Sequence, residues 1–596
     1  MKKFLFTFIL TLATMCVSAQ SLGDVPATVS ASDVTILKES VVVFAGHDSI
    51  AVNPETGKID TLEVQDGMLF FSPEEYEQLA RDPERLRATV APGESWGPDY
   101  GDWAWSWVLP LNAFKKAAML YTFKYPSVDA DGNLIYLSAL MGVPFPMFSG
   151  STGSPKNLII GCHETITSNY ECPSEWNSSA GAPVASGNCM MLQYCRNDIV
   201  RQPSCLVIIP DYEGYGITKD RAHPYLYQEL TARQVVDAVR SGLAFYDHLI
   251  SIGKAEPMAP GWKSVSIGYS QGGSVSLATH KFIELNGLVD ELNYAGSVCG
   301  DGPYDPVTHL RYYMKDNGTT YDGTNKTEHR EERVSMPIVM PLILKGMCDS
   351  NPLMRQHYID DYLSMKFLYT ESIKFIEDKA QPKKKDQYST DRINEEYVEM
   401  LKKGKTGTYT KRFHDGTETK YTRKCSAEYF QDVMELNKDA AFGKLDSIMT
   451  PICLDYFRAL TENTPVPTEP GLMQDLHRAL ESNNLTKGWT PQHRIAFFHS
   501  TYDTVVPYEN LLSFMRNQQS LTYYFFDNDQ SRSTNAGVSC TTATEDQAKV
   551  YIRDATCKED HVPAGTNFFM TGATGKVFGL SPDMRMIRWV LTGSDD

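Results

Sequence analysis

Ser270 stands in Gly268-Tyr269-Ser270-Gln271-Gly272, a G-x-S-x-G sequence with a further glycine, Gly273, behind it. A serine hydroxyl is a weak nucleophile at neutral pH unless a histidine takes its proton and an acid orients that histidine. The run before it, "SVSIGYS" (264–270), has the length and apolarity of a buried strand. The segment after it, "GSVSLATHKFIELNG" (273–287), reads as a helix ending in glycine. A sharp strand-to-helix turn would expose the hydroxyl, and the flanking glycines remove the side chains that would collide there. The amide of Gln271, at the helix start, can donate to a developing oxyanion.

Both partners of such a serine are expected later in the chain. Asp503 follows a late strand in "AFFHSTYDTVVPYEN", while Asp527 and Asp529 follow the next one and are its rivals. Of thirteen histidines, His561 in "CKEDHVPAGTNFF" alone lies beyond the last expected strand and before the final helix. His499 reads as a strand-end residue near the site. The turn after "NLIIGCHETI" offers the amides of Glu164 and Thr165 as further oxyanion donors. His163 and Glu164 form a conceivable metal pair, but no third ligand accompanies them at a characteristic spacing, so neither a metal nor a cofactor is expected.

The elements that must position these groups follow from periodicity. "AMLYTFKYPSVDADGNLIYLSALMGVP" (118–144) gives two strand-like runs around the turn signal "DADGN", an antiparallel opening to a sheet. Short apolar runs then alternate with helices: "NLIIGCHE" (157–164), "SCLVIIPDYE" (204–213), "ARQVVDAVRSGLAFYDHLI" (232–250), the serine strand, and "LNYAGSVCGDGPYD" (292–305). This is the pattern of a doubly wound, mostly parallel α/β sheet. It stops between about 306 and 487, a stretch rich in tyrosine and charge, helical in "DDYLSMKFLYTESIKFIED" and lysine-rich in "KKGKTGTYTKRFHDGTETKYTRK" (402–424). It resumes in "RIAFFHSTYDTVVP" (494–507), "LTYYFFDND" (521–529) and a terminal helix, "PDMRMIRWVLTG". The expected organisation is a small N-terminal accessory segment (20–95), a core in two parts (96–305 and 488–596) and a large helical cap insert (306–487). Ser72 is placed to cap the charged helix "SPEEYEQLARDPERLRA" of the accessory segment.

The first residues, "MKKFLFTFILTLATMCVSAQ", have two lysines, an apolar run and small residues before Gln20, the anatomy of a signal peptide (1–19) cleaved after Ala19. A secreted or periplasmic protein is therefore expected, with lipid attachment at Cys16 the alternative. Of the eleven other cysteines, Cys540 and Cys557 bracket the segment before His561 and suit a disulfide, whereas Cys162 and Cys205 sit in apolar runs and read as buried thiols. The 596 residues, 42% hydrophobic and 22% charged, suit a folded globular chain. A net charge of -18 repels phosphate backbones and argues against nucleic acid. No later run is long enough to span a bilayer. Nothing in the sequence fixes an oligomeric state.

Taken together, "IIPDYEGYG" (208–216), "HPYL" (223–226), "VVDAVR" (235–240), "GYSQGG" (268–273), "YDTVVP" (502–507) and "DH" (560–561) make the chain resemble the α/β-hydrolase superfamily, and within it the secretory-lipase-like group of esterases. The resemblance covers about 118–305 and 490–596. It implies Ser270 as nucleophile, Asp503 as acid, His561 as base and the insert as a lid, with Asp211 and His223 structural residues at strand ends. The chain departs from the group in reading "HETI" where many members have a glycine after the histidine, and in its long polar insert.

The expected function is that of a secreted serine hydrolase cleaving a small-molecule or glycan-linked carboxylic ester through an acyl-enzyme. The alternative is a serine exopeptidase of aminopeptidase or dipeptidyl-peptidase type, with "NEEYVEM" (394–400) holding the substrate amine. A non-enzymatic module that binds acidic polysaccharide through 402–424 is a third reading. The run 336–344 with Met347 and Met354 would line an acyl or aromatic pocket, although core packing accounts for the same residues.

Overall fold

Runs such as Leu158-Ile159-Ile160 and Leu206-Val207-Ile208-Ile209 are apolar on both faces of a strand, so both faces must be covered by other elements. In the computed structural model these runs lie at the centre of a twelve-stranded sheet. The structure describes residues 22–26, 28–52, 59–81, 117–144, 154–166, 169–175, 187–195, 204–314, 319–321, 326–328, 332–335, 339–369, 405–425, 434–436, 441–466, 471–526, 534, 536–554, 560–569 and 581–595. The expected leader with Cys16, "NEEYVEM", Asp527, Asp529 and Cys557 lie outside them.

The first eight strands of the sheet are β1 (Thr35–Val52), β2 (Ile59–Phe71), β3 (Ala117–Val128), β4 (Leu134–Pro144), β5 (Asn157–Cys162), β6 (Cys205–Pro210), β7 (Ser264–Tyr269) and β8 (Tyr294–Gly300). Their spatial order is β2-β1-β3-β4-β6-β5-β7-β8, continued by Arg494–His499, Val550–Asp554, Thr522–Phe525 and Thr541–Thr542. Pairing is antiparallel from β2 to β6 and parallel from β6 onward. Leu158, Ile160, Leu206 and Ile208 pack on one face with helix Gln228–Ser251, through Val235, Val236 and Val239. Their alternates Ile159, Val207 and Ile209 pack on the other with Trp589 of the last helix. The parallel strands therefore end on one edge of a covered sheet, where loops are free to build a site.

The expected hairpin is present: Asp129 and Asn133 close the turn between β3 and β4. Within the described part of 20–95, β1 pairs with β3 (Val41 opposite Met119) and β2 with β1, so these two strands extend the same sheet. Ser72 caps its helix, Pro73–Arg81, in a reciprocal box: the Glu75 amide donates to Ser72 Oγ at 3.2 Å and the Ser72 amide to Glu75 Oε2 at 2.8 Å. Met340, Leu344, Met347, Met354, Tyr362 and Phe457 from the stretch 306–487 are buried in a second core that they share with Tyr225, Leu226, Val505 and Val506. The lysine-rich piece forms a hairpin, Lys405–Arg412 against Glu418–Cys425, turning at Gly416 with φ +83°. Periodicity misses it because both strands are polar on both faces, so backbone pairing holds them rather than an apolar stripe. Among the described residues no helix is long and apolar enough to cross a membrane.

Candidate active site

β7 delivers Tyr269 to the sheet edge, and helix Gln271–Leu285 starts immediately after Ser270. Ser270 takes φ 58° and ψ -125°, a strained conformation for a residue with a side chain, and its amide donates to Gly300 O at 2.9 Å. The glycines answer to close approach. A Cβ on Gly272 would overlap the Cys162 carbonyl oxygen, one on Gly268 the Gly272 carbonyl, and one on Gly273 the Gly300 carbonyl. The helix start is thereby pressed onto the ends of β5 and β8. Gly272→Ala is expected to cost about 2 kcal/mol or more of stability, because rigid backbone must move. A melting temperature equal to that of the wild type would show that this contact yields.

Asp503 lies in the turn after strand Arg494–His499. Its Oδ1 accepts the amides of Val505 and Val506 at 2.8 and 2.7 Å, which leaves Oδ2 to face His561 Nδ1 at 2.5 Å. His561 Nε2 lies 2.8 Å from Ser270 Oγ. Because the carboxylate can only accept, Nδ1 donates to it, and the Nε2 lone pair is left for the serine proton. All three side chains are buried. His561 opens helix His561–Phe569 rather than lying in a loop. Asp560 fixes that opening: its Oδ1 accepts the His561 amide at 2.8 Å and the Thr504 amide at 3.0 Å, tying the turn of Asp503 to the helix of His561.

Burial disfavours the His561 imidazolium, but the charge and hydrogen bond of Asp503 outweigh it and raise the group above its ordinary value. A general base works only when unprotonated. Activity that depends on it must therefore rise with pH, and kcat/KM is expected to climb along a limb whose midpoint lies above 6.5, the ordinary value for histidine. A pH-rate profile already flat at 6.5 would contradict this.

Gln271 is the first residue of its helix, so its amide has no partner within the helix. Its side-chain Nε2 lies 2.8 Å from His223 Nε2, and His223 Nδ1 lies 2.8 Å from Glu213 O. With Nδ1 donating to that carbonyl, Nε2 accepts from Gln271, so His223 clamps the residue after the serine. Glu164 and Thr165 follow β5 where it ends against Gly272. The Thr165 hydroxyl meets Tyr225 OH at 2.8 Å. His163 is buried, stacked on Tyr212 at 3.9 Å, with Nδ1 2.7 Å from Glu164 O and Nε2 3.0 Å from Asp211 O. Among the described residues, no cluster with metal-ligand spacing includes His163 or Glu164.

The remaining expected residues are placed as follows. His499 ends its strand and is buried, its Nε2 donating to Val506 O at 2.9 Å. Asp211 accepts the Ser138 hydroxyl at 2.5 Å and the Ser174 amide at 2.8 Å at the end of β6. Cys162 and Cys205 are buried in β5 and β6. Tyr269 and Asp301, assigned no role from sequence, also border the site, as does Asp560, read only as part of the "DH" pair. Asp301 follows β8 as Asp503 follows its own strand, and that shared strand-end position was the available signal.

A doubly wound sheet with a serine on a strand-to-helix turn, an aspartate after the later parallel strand Arg494–His499 and a histidine after the strand paired beside it, Val550–Asp554, has the α/β-hydrolase fold. Among solved structures the chain is similar to the rice cell wall degrading esterase LipA from Xanthomonas oryzae, at 17% identity and a TM-score of 0.44 over 76% of this chain and 86% of that one. A putative hydrolase from Legionella pneumophila is similar at 15% identity and a TM-score of 0.46, over 78% and 91% of the two chains. Lipase A of Candida antarctica in its closed state is similar at 12% identity and a TM-score of 0.41, over 80% and 78%. No protein-family model and no curated protein matches the chain.

Proposed function

We propose that the chain is an exported serine hydrolase that cleaves carboxylic esters. The observation that carries this reading is the unbroken hydrogen-bonded series Ser270 Oγ, His561 and Asp503, built on a strained strand-to-helix turn. In the proposed reaction His561 Nε2 takes the Ser270 proton as Oγ attacks the ester carbonyl, and Asp503 stabilises the imidazolium that forms. The first-turn amide of Gln271, with those of Glu164 and Thr165, receives the negative oxygen of the tetrahedral intermediate. His561 then protonates the leaving alcohol. A water molecule, deprotonated by the same nitrogen, releases the acid from Ser270.

The insert bears on which ester is taken. Its core includes Val505 and Val506 from the acid's turn and Tyr225, the partner of Thr165. Met340, Leu344, Met347 and Met354 are buried in that core, which supports the core-packing reading of these residues. The test is a fluorophosphonate probe followed by peptide mapping, together with turnover of short-chain nitrophenyl esters. Labelling of Ser270 with ester turnover is expected. Release of dipeptidyl amides without ester turnover would replace the esterase reading by the peptidase one, and an unlabelled Ser270 would remove both.

A further inference from the structure

Asp301, at the end of β8, is fully buried beside the two residues that serve Ser270: one ligand atom each from Asp301, Asp503 and His561 lie within 4.8 Å of one another. It takes no part in the reaction proposed above. Its Oδ1 accepts the Ser500 amide at 2.7 Å, and its Oδ2 lies 2.5 Å from Tyr269 OH. The same Tyr269 hydroxyl lies 2.6 Å from the backbone carbonyl oxygen of His561.

These contacts can be settled by counting protons. A phenol has one proton to give, and here its oxygen lies within hydrogen-bond distance of two others. A backbone carbonyl has none to offer. If Tyr269 donates to Asp301, its oxygen faces the His561 carbonyl at 2.6 Å with no proton between them. If Asp301 carries the proton, both contacts are made: Asp301 donates to Tyr269, and Tyr269 donates to His561 O. The other near neighbour offers no substitute donor, because His499 Nε2 lies 3.4 Å from Asp301 Oδ1 and already donates to Val506 O at 2.9 Å.

We propose that Asp301 is a neutral, proton-donating positioning residue that acts through Tyr269 to hold the His561 backbone, and with it the imidazole, against Ser270. This rests on the triad reading given above. Burial and the neighbouring Asp503 charge both push the Asp301 carboxyl well above the usual range, which favours the same protonation state. Neutrality has a use. A second full negative charge beside His561 would hold its proton more tightly and leave more of the free enzyme without a base. A protonated acid instead supplies a directed hydrogen bond and no net charge. Tyr269, the residue before the nucleophile, thus ties the strand-to-helix turn directly to the helix that His561 opens.

The test compares Asp301→Asn, Asp301→Ala and Tyr269→Phe. Asparagine keeps a donor toward Tyr269 and an acceptor toward Ser500, as a protonated aspartic acid does. Asp301→Ala and Tyr269→Phe are expected to lower kcat about tenfold with little change in KM, and Asp301→Asn to recover most of that loss. Two readouts need no turnover. The infrared difference spectrum between wild type and Asp301→Asn should show the C=O stretch of a protonated acid. The low-field proton resonance of His561 Nδ1 should move in Tyr269→Phe. Loss in Asp301→Asn as deep as in Asp301→Ala, no protonated-acid band, or an unmoved resonance would each overturn the proposal. Should Ser270 fail to take the fluorophosphonate, the triad reading falls alone, and the infrared and resonance measurements still decide this one in folded protein.

Discussion

Ser270→Ala is expected to lower kcat on a short-chain nitrophenyl ester by at least about ten-thousand-fold, with a melting temperature close to that of the wild type. The substitution deletes one atom, Oγ. Alanine meets the same backbone restrictions as serine at φ 58°, the amide bond to Gly300 O is kept, and the glycine contacts around the turn are untouched. What disappears is the proposed nucleophile, and with it the proposed acyl-enzyme route. The amides proposed to receive the oxyanion remain, so a small rate above that of water is expected to survive. Steady-state kinetics, probe labelling and a thermal melt on the same preparation check this. A folded variant with a tenth of the wild-type rate would mean that ester cleavage runs through another group.

The parts of this site legible in the sequence are those fixed by local chain chemistry. Gly268, Gly272 and Gly273 mark a turn where Cβ atoms cannot fit, and each meets a backbone carbonyl of a neighbouring strand or helix turn. Asp503 could be picked out by order because it follows a strand that the apolar pattern reveals. His561 could be picked out because it alone of the histidines lies between the last expected strand and the final helix, although the strand it follows, Val550–Asp554, is not among those the pattern reveals. What stayed hidden depends on which strands become neighbours. Val550–Asp554 slots between Arg494–His499 and Thr522–Phe525, and no periodicity announces that. The pairing of β1 with β3, which makes the N-terminal segment part of the main sheet, is hidden for the same reason. Asp301 and Tyr269 are 32 residues apart and meet only because β7 and β8 are adjacent, with Tyr269 opposite Gly300. Asp560 could be read as half of a "DH" pair, but its bond to Thr504 spans 56 residues and follows from folding alone.

Asp503→Asn is expected to lower kcat by on the order of a thousand- to ten-thousand-fold, although asparagine is nearly the same shape. The reason lies in the two amides. Val505 and Val506 both donate to Oδ1, so an asparagine here keeps its carbonyl oxygen on that side and turns its NH2 toward His561. A donor facing Nδ1 forces the imidazole proton onto Nε2, where it points at Ser270 Oγ and blocks the transfer that makes the serine a nucleophile. Asp503→Ala removes the orienting acid but imposes no tautomer, so its loss should be no larger than that of asparagine. An explanation from packing predicts the opposite order, since alanine leaves a hole and asparagine does not. Raising the pH should not rescue Asp503→Asn, because the neutral ring is present already and has its proton on the wrong nitrogen. The kinetics of the two variants across pH separate the readings: an asparagine variant more active than the alanine one would mean that Asp503 matters for shape rather than for where the imidazole proton sits.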